Sequence, residues 1–497
     1  MMNEISFLKL QNGSDVRGVA VDGVENEPVN LTSEAVNRIA SGFTKFLANK
    51  LGKQNLKIAV GHDSRISAPQ LLQAVCEALT ANGVEVLNCG LASTPAMFMS
   101  TIFSETQADG SIMLTASHLP FNRNGMKFFT AQGGLDKADI TTILKFAAQV
   151  NELKGNISSV KNFALIELYA KNLREKICTA LNNDKPFAGM KLIVDAGNGA
   201  GGFFAEKILA PLGADTTSSQ FLEPDGMFPN HIPNPEDKIA MASIKKTVLD
   251  NNADLGLIFD TDVDRAGAVL SDGEEVSRNA LIAMIAAILA PDYPAGTIIT
   301  DSVTSDELTV FLEKKLGLKH HRFKRGYKNV INECIRLNKS GVVSPLAIET
   351  SGHGALSENY FLDDGAYLAV KILIAAAKLH RENKNLSELI ADLQYPAESK
   401  EYRLKIVGAE NFKDYGQKVL DEFKRRAVAK GLKLAEPNFE GVRLNFDDGW
   451  ALLRLSLHDP LMPLNIESKS VGGSKKISLV VKDLLNGFDS LETKILD

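Results

Sequence analysis

Cysteine is scarce in this chain. Only Cys76, Cys89, Cys178 and Cys334 occur, widely spaced and with no Cys-x-x-Cys pair. That fits a reducing compartment, and the cytoplasm is the expected location. Positive charge is not in excess either. The formal net charge is −6, so no basic footprint argues for nucleic acid or an anionic membrane. No uncharged apolar run reaches the ~18 residues of a membrane span; Ala280 to Ala290 is apolar but too short. The opening Met-Met-Asn-Glu-Ile-Ser lacks a basic start followed by a long apolar core, so no signal peptide is expected. What remains is ordinary globular composition, 44% hydrophobic and 23% charged over 497 residues. That is enough for several cores and for roughly three or four domains.

The order of apolar runs and turn signals gives a coarse map. Lys57 to Val60 reads as a strand, Gly61 to Ser67 as a loop and Ala68 to Asn82 as a helix stopped by Gly83. Val84 to Leu87 follows as a strand, which makes a βαβ unit with parallel strands. Thr94-Pro95 opens another helix. A second unit has a strand at Lys191 to Val194, the Gly-rich turn Asp195 to Gly202 and a helix at Phe203 to Leu212. The Gly-rich turn is neither Gly-x-Gly-x-x-Gly nor a Walker A, so a tight-turn role is the expectation. A third has strands at Ala253 to Phe259, Ala266 to Leu270 and Thr297 to Thr300, and a helix at Ser305 to Leu316. Ala366 to Leu393 is helix-like, and Tyr395 to Lys400 reads as a linker. The remainder alternates a helix (Asn411 to Lys430) with strands (Gly441 to Phe446, Trp450 to Leu455), a smaller α+β domain.

Four polar loops interrupt this scaffold. The first follows the apolar run Ile112 to Leu114 and reads Thr-Ala-Ser-His-Leu-Pro-Phe-Asn-Arg-Asn-Gly-Met-Lys from Thr115 to Lys127. Its Ser117 falls at the carboxyl end of a strand, where ligands bind in open α/β sheets, and reads as an exposed loop residue. The second, Asp260-Thr261-Asp262-Val263-Asp264-Arg265, puts three carboxylates at alternate positions, on one side of an extended segment. They repel unless a cation neutralises them, so a hard divalent ion is the natural partner. An EF-hand is excluded by Arg265 and Ser271, where it needs Gly and Glu. The third is Glu349-Thr350-Ser351-Gly352-His353, with Asp364-Gly365 after it and Lys324-Arg325-Gly326-Tyr327-Lys328 before it. The fourth is Arg454-Leu455-Ser456-Leu457-His458-Asp459-Pro460.

Taken together, in this order and over almost the whole chain, these loops resemble those of the α-D-phosphohexomutases. That family includes phosphoglucomutases, phosphomannomutases and phosphoglucosamine mutases. Thr-Ala-Ser-His-x-Pro with Asn-Gly-x-Lys resembles the phosphoserine loop, with Leu119 where the family usually has Asn. The acidic loop resembles the metal loop, with Thr261 in place of Gly or Pro. Glu-x-Ser-Gly-His resembles the sugar loop. Arg454 and Ser456 match the phosphate loop of the last domain, where His458 and Asp459 replace Thr and Glu. Tyr327 matches none of the usual residues of its loop.

The resemblance implies three doubly wound α/β domains plus a smaller α+β domain around one central cleft, with bounds expected at 1–155, 156–258, 259–394 and 395–497. It implies a reversible exchange between hexose 1-phosphate and 6-phosphate, for glucose and/or mannose. The carrier is phosphorylated Ser117, and a hexose 1,6-bisphosphate is both intermediate and activator. One Mg²⁺ per subunit is expected on Asp260, Asp262, Asp264 and a phosphoserine oxygen of Ser117. Lys127 takes the proton, Arg265 faces the phosphoryl group and Arg17 holds the serine side. His118 and His353 are candidates for positioning or proton transfer. Glu349 and Ser351 read the sugar, Lys324 and Lys328 lie beside it, and Arg454 and Ser456 grip its phosphate. Sugar phosphates are the expected partners, and the oligomeric state is open. A phosphoglucosamine mutase and a non-catalytic sugar-phosphate-binding paralogue remain the alternatives.

Overall fold

A computed structural model describes residues 6–456 and 459–497. The chain divides into two compact units, Met1–Ile288 with Ser351–Ile390 and Leu289–Thr350 with Ala391–Asp497.

The first unit is built on two sheets. In the larger one, Lys57–His62 lies between Glu85–Leu91 and Gly110–Leu114, parallel to both. Arg123–Thr130 then turns back antiparallel to Gly110–Leu114, and Asp15–Val19 pairs antiparallel beyond it. Helix Ser33–Leu51 covers this sheet because its apolar residues recur on one face, with Val36, Ile39, Ala40, Phe43 and Leu47 fully buried. Burying a side chain such as Phe43 or Ile39 stabilises the unit by about 1.5–3 kcal/mol. Thr32 caps the helix by accepting from the Ala35 N–H, and Gly52 ends it in the left-handed region.

The second sheet pairs Leu192–Asp195 in parallel with Leu255–Phe259. The latter runs through the loop 260–265 into antiparallel Ala266–Leu270. The acidic loop is therefore the tip of a fully buried hairpin. The expected helix over Phe203 to Leu212 is a π-helix, Phe204–Leu209, followed by a 3₁₀ turn, Ala210–Leu212. Hydrophobic spacing does not distinguish these from an α-helix, and Pro211 removes a backbone donor at the change. Helix Gly365–Arg381 and the hairpin Gly354–Leu356 with Leu362–Asp363 belong to this unit as well.

In the second unit, Thr297–Thr300 runs parallel to both Lys319–Arg322 and Leu346–Ile348. Helix Tyr327–Lys339 follows, and Asp306–Val310 passes into a π-helix, Phe311–Lys315. The last hundred residues form an antiparallel sheet with helices Phe412–Ala429 and Gly473–Leu484 around one core. Here the reading of Tyr395 to Lys400 as a linker is corrected. Glu398–Lys405 is a strand paired along its length with Leu461–Ser468. It is an exposed edge with little apolar alternation, so backbone pairing defines it and the side-chain pattern does not. Among the described residues no helix is long and apolar enough to cross a membrane.

Candidate active site

The serine loop leaves strand Gly110–Leu114 through Thr115, whose hydroxyl accepts from the Ser117 N–H at 2.9 Å. Ser117 sits at φ 51°, in the left-handed region. It is not the exposed residue that the sequence suggests: its relative exposure is 9%. The loop folds back onto the acidic hairpin, and Ser117 Oγ donates to Asp260 Oδ2 at 2.9 Å while Arg265 Nη2 donates to it at 2.8 Å. Arg17, on the strand beside Arg123–Thr130, donates to the Thr115 carbonyl and pairs with Asp15 at 2.9 Å. Lys127 lies in strand register opposite Met113, and its buried Nζ reaches Asp264 Oδ2 at 2.6 Å and Asp262 at 3.9 Å.

Asp260, Asp262 and Asp264 are completely buried, with ligand oxygens all within 4.8 Å of one another. Asp262 Oδ1 and Asp264 Oδ1 are buried without a hydrogen-bond partner. Burial and the adjacent Asp264 raise the Asp260 carboxyl well above its ordinary range. Asp264 is lowered against its burial, because Lys127, His353 and Arg265 surround it. Three hard oxygen donors with two of them unpartnered fit a divalent cation. Such an ion would relieve the repulsion among the three carboxylates.

Backbone contacts fix this loop. Thr94, at the start of helix Thr94–Met99, donates its N–H to the Asp262 carbonyl at 2.8 Å and its hydroxyl to Asp262 Oδ2 at 2.5 Å. The Gly-rich turn does act as a tight turn, against the acidic loop: a methyl group on Gly199 would lie 2.7 Å from Thr261 backbone atoms. The Ala200 N–H donates to the Thr261 carbonyl at 2.8 Å. A methyl group on Gly365 would meet the Arg265 backbone at 2.6 Å. Val263, β-branched and buried, is held at φ 65°, a strained conformation that costs on the order of 1–3 kcal/mol.

Two histidines flank the serine and the carboxylates with opposite charge preferences. Burial, and then the Arg265 guanidinium that donates to its Nδ1, push His118 down to about 3, so the ring is neutral. Burial opposes protonation of His353, but Asp363 at 2.6 Å and Asp264 at 3.7 Å raise it to about 9. Ser351, nearby in sequence, has a buried hydroxyl with no hydrogen-bond partner. Asp364 caps helix Gly365–Arg381 by accepting from the Tyr367 N–H, and also accepts from the Tyr169 hydroxyl at 2.7 Å.

The remaining expected residues belong to the second unit. Glu349 is buried and accepts from the Gly326 N–H at 2.6 Å, which ties it to the loop carrying exposed Lys324 and half-buried Lys328. Arg454 is half-buried with Nε unpartnered, and burial followed by the charge of Arg325 lowers its pKa. Two guanidinium groups that repel each other suit an anion. Ser456 Oγ accepts from the Asp459 N–H at 3.2 Å. Leu457 and His458 lie outside the described residues.

Sequence reasoning missed Arg65, Thr94, Asn234, Arg325 and Asp363. Asn234 accepts from Arg265 Nη1 at 3.2 Å. Only Thr94-Pro95 left a signal, and it was one for a helix start. The partners of Arg65 and Asn234 lie far away along the chain, whereas Asp363 meets His353 only ten positions away.

Fold and site together define a multidomain α/β protein in which a buried serine faces a carboxylate cluster suited to a cation. Residues 9–154, 167–273 and 277–395 match alpha/beta/alpha domains I, II and III of "Phosphoglucomutase/phosphomannomutase". A phosphoglucomutase/phosphomannomutase of Thermococcus kodakarensis is 30% identical over 464 residues, covering 90% of this chain and 93% of that protein. A phosphomannomutase/phosphoglucomutase of Pseudomonas syringae is 28% identical, covering 93% and 92%. The solved structure of a Burkholderia thailandensis protein of the same family superposes with a TM-score of 0.78 at 24% identity, over 99% of this chain and all of that one, a likeness of fold. The chain belongs to the phosphoglucomutase/phosphomannomutase family, the α-D-phosphohexomutases.

Proposed function

We propose that this protein is a phosphohexomutase. It interconverts the 1- and 6-phosphates of a hexose, glucose and/or mannose, through phosphorylated Ser117 and a bound hexose 1,6-bisphosphate that also serves as activator. The observation that carries this reading is the placement of Ser117 Oγ, 2.9 Å from Asp260 and 2.8 Å from Arg265, in the same cluster as Lys127.

Phosphoserine carries about −1.5 to −2 charge at pH 7. A free hydroxyl of the bound hexose monophosphate attacks its phosphorus in line. The new O–P bond forms as the bond from phosphorus to Ser117 Oγ breaks, and the hydroxyl proton passes to Lys127 Nζ in its neutral, amine form. Arg265 offsets charge on the phosphoryl oxygens and donates to Oγ as it leaves. Neutral His118 accepts from Arg265 and keeps the guanidinium aimed at the serine, while His353, tied to Asp363, serves positioning or proton transfer. The bisphosphate then turns around, and its other phosphorus bonds to Ser117 Oγ as its bond to the sugar oxygen breaks; Lys127 returns the proton to that oxygen. Arg17 steadies the loop through the Thr115 carbonyl. One Mg²⁺, held by Asp260, Asp262, Asp264 and an oxygen on Ser117, supplies positive charge to the phosphoryl group when bound.

Glu349 and Ser351 read the sugar hydroxyls, Lys324 and Lys328 lie on the sugar side, and Arg454 and Ser456 bind the phosphate that is not being transferred. A cytoplasmic setting is supported by four unpaired cysteines, three of them buried.

The test is a comparison of kcat/KM for glucose, mannose and glucosamine 1-phosphates with Mg²⁺ and a trace of the bisphosphate. Glucose and mannose share the edge that Glu349 and Ser351 read, so both are expected to turn over within about two orders of magnitude of each other. Glucosamine phosphate is expected to be poorer. Exclusive use of glucosamine phosphate would overturn the glucose and mannose assignment in favour of a phosphoglucosamine mutase.

A further inference from the structure

Arg65 is one of the largest fully buried side chains in the protein, and its guanidinium is spent on a single task. Nη1 donates to the carbonyls of Pro120 at 2.7 Å and Arg123 at 2.8 Å. Nη2 donates to those of Ser117 and Leu119, both at 2.5 Å. Nε faces Asp63 Oδ2 at 3.4 Å, and the Arg65 N–H donates to Asp63 Oδ1 at 3.0 Å. Four carbonyls of the serine loop thus converge on one side chain. Buried carbonyls need partners, and only the planar, five-donor fork of arginine supplies this many from one point.

The fork is itself held. The ring of Phe228 lies 5.3 Å from the guanidinium carbon. The loop carrying that ring runs against the Ser64–Ile66 backbone so closely that a methyl group on Gly226 would meet the Ile66 nitrogen at 2.5 Å. Asn124 donates to the Ser67 hydroxyl at 2.8 Å and closes the other side. Ser117 meanwhile sits at φ 51°, a backbone conformation that a serine does not choose unaided.

We propose that Arg65 is a positioning residue for phosphoryl transfer. By gripping the Ser117, Leu119, Pro120 and Arg123 carbonyls, it holds Ser117 in the left-handed conformation that aims Oγ at Asp260 and Arg265. The proposal rests on the mutase reading above. It assigns Arg65 an effect on the rate of transfer and none on the binding of sugar phosphate. Lysine, with a point charge and three donors, cannot span four carbonyls, so charge alone does not replace it. A misplacement of the reacting atom of about 1 Å costs about 10²-fold in rate.

The experiment follows phosphoryl uptake by Ser117 from glucose 1,6-bisphosphate, by rapid quench and intact mass, in wild type, Arg65→Lys and Arg65→Ala, beside steady-state kcat and KM. Arg65→Lys is expected to take up phosphate about 10²-fold more slowly with KM within about threefold of wild type. Arg65→Ala is expected to be slower still and to recover at least fivefold when millimolar guanidinium fills the vacated site. Uptake by Arg65→Lys within threefold of wild type, or a defect confined to KM, would overturn the proposal. So would failure of both variants to fold, which assigns Arg65 to the scaffold alone. If wild type itself takes up no phosphate, the mutase reading falls, and this proposal with it.

Discussion

At Asp262 one carboxylate oxygen is held and the other is open: Oδ2 accepts from Thr94, and Oδ1 has no hydrogen-bond partner in a cluster of three buried acids. Asp262→Asn is therefore expected to lower turnover at least 10²-fold and raise the Mg²⁺ needed for half-maximal rate, because hard cations need several anionic oxygens. The same substitution relieves repulsion, so the metal-free protein is expected to melt at a slightly higher temperature. Wild-type activity indifferent to chelators would remove the metal from the account. Thr94→Val tests the support behind this ligand. Losing a hydrogen bond to a ligating carboxylate is expected to raise the half-saturating Mg²⁺ concentration by about 10–100-fold. A Mg²⁺ titration shows it, and an unchanged midpoint would leave Thr94 as the first residue of its helix and no more.

At the scale of elements, the acidic hairpin works because other backbones press against it. Gly199→Ala places a methyl group 2.7 Å from the Thr261 main chain, which cannot swing aside. It is expected to destabilise the protein by about 1–3 kcal/mol and to reduce kcat, measured by thermal melting and turnover. In the last domain, strand Leu461–Ser468 carries buried Glu467, which accepts from the indole of Trp450, the sole tryptophan. Arg443 stacks 3.7 Å from that ring and pairs with Asp306. Burial lifts the Glu467 carboxyl from its ordinary 4.5 to about 7, with the Trp450 N–H the chief opposing influence. The folded state thus holds this proton more tightly than the unfolded chain. Its stabilisation is complete below pH 4.5 and lost as the pH rises through 7. Denaturation followed by Trp450 emission is expected to show wild type losing up to about 3 kcal/mol relative to Glu467→Gln between pH 4.5 and pH 8. Parallel curves for the two proteins would contradict this.

These elements also show what a sequence can reveal. The serine, acidic and sugar loops were legible because their chemistry is carried by contiguous side chains, and the strands beneath them because they are short, wholly apolar runs. The edge strand Glu398–Lys405 was not legible, since most of its side chains are exposed, only Leu404 is fully buried, and backbone pairing defines it. The π-helical turns were not, because their spacing resembles that of an α-helix. Arg65 and Thr94 were invisible as site residues, because their partners lie 52 and more positions away.

Across the whole molecule, the two compact units hold different parts of the proposed chemistry. The first carries Ser117, Lys127, the three aspartates, Arg265 and His353, and the second carries Glu349, Lys324, Lys328, Arg454 and Ser456. In the proposed chemistry, the groups assigned to phosphoryl transfer all come from the first unit, as does Ser351. The central claim is that turnover passes through Ser117. The measurement is production of glucose 6-phosphate from glucose 1-phosphate, with Mg²⁺ and a trace of glucose 1,6-bisphosphate, by wild type and by Ser117→Ala of unchanged circular dichroism. Sustained turnover by wild type, falling below a few per cent in the variant, is the predicted result. A variant that keeps more than that, or a wild type inert toward every hexose phosphate, would contradict the account.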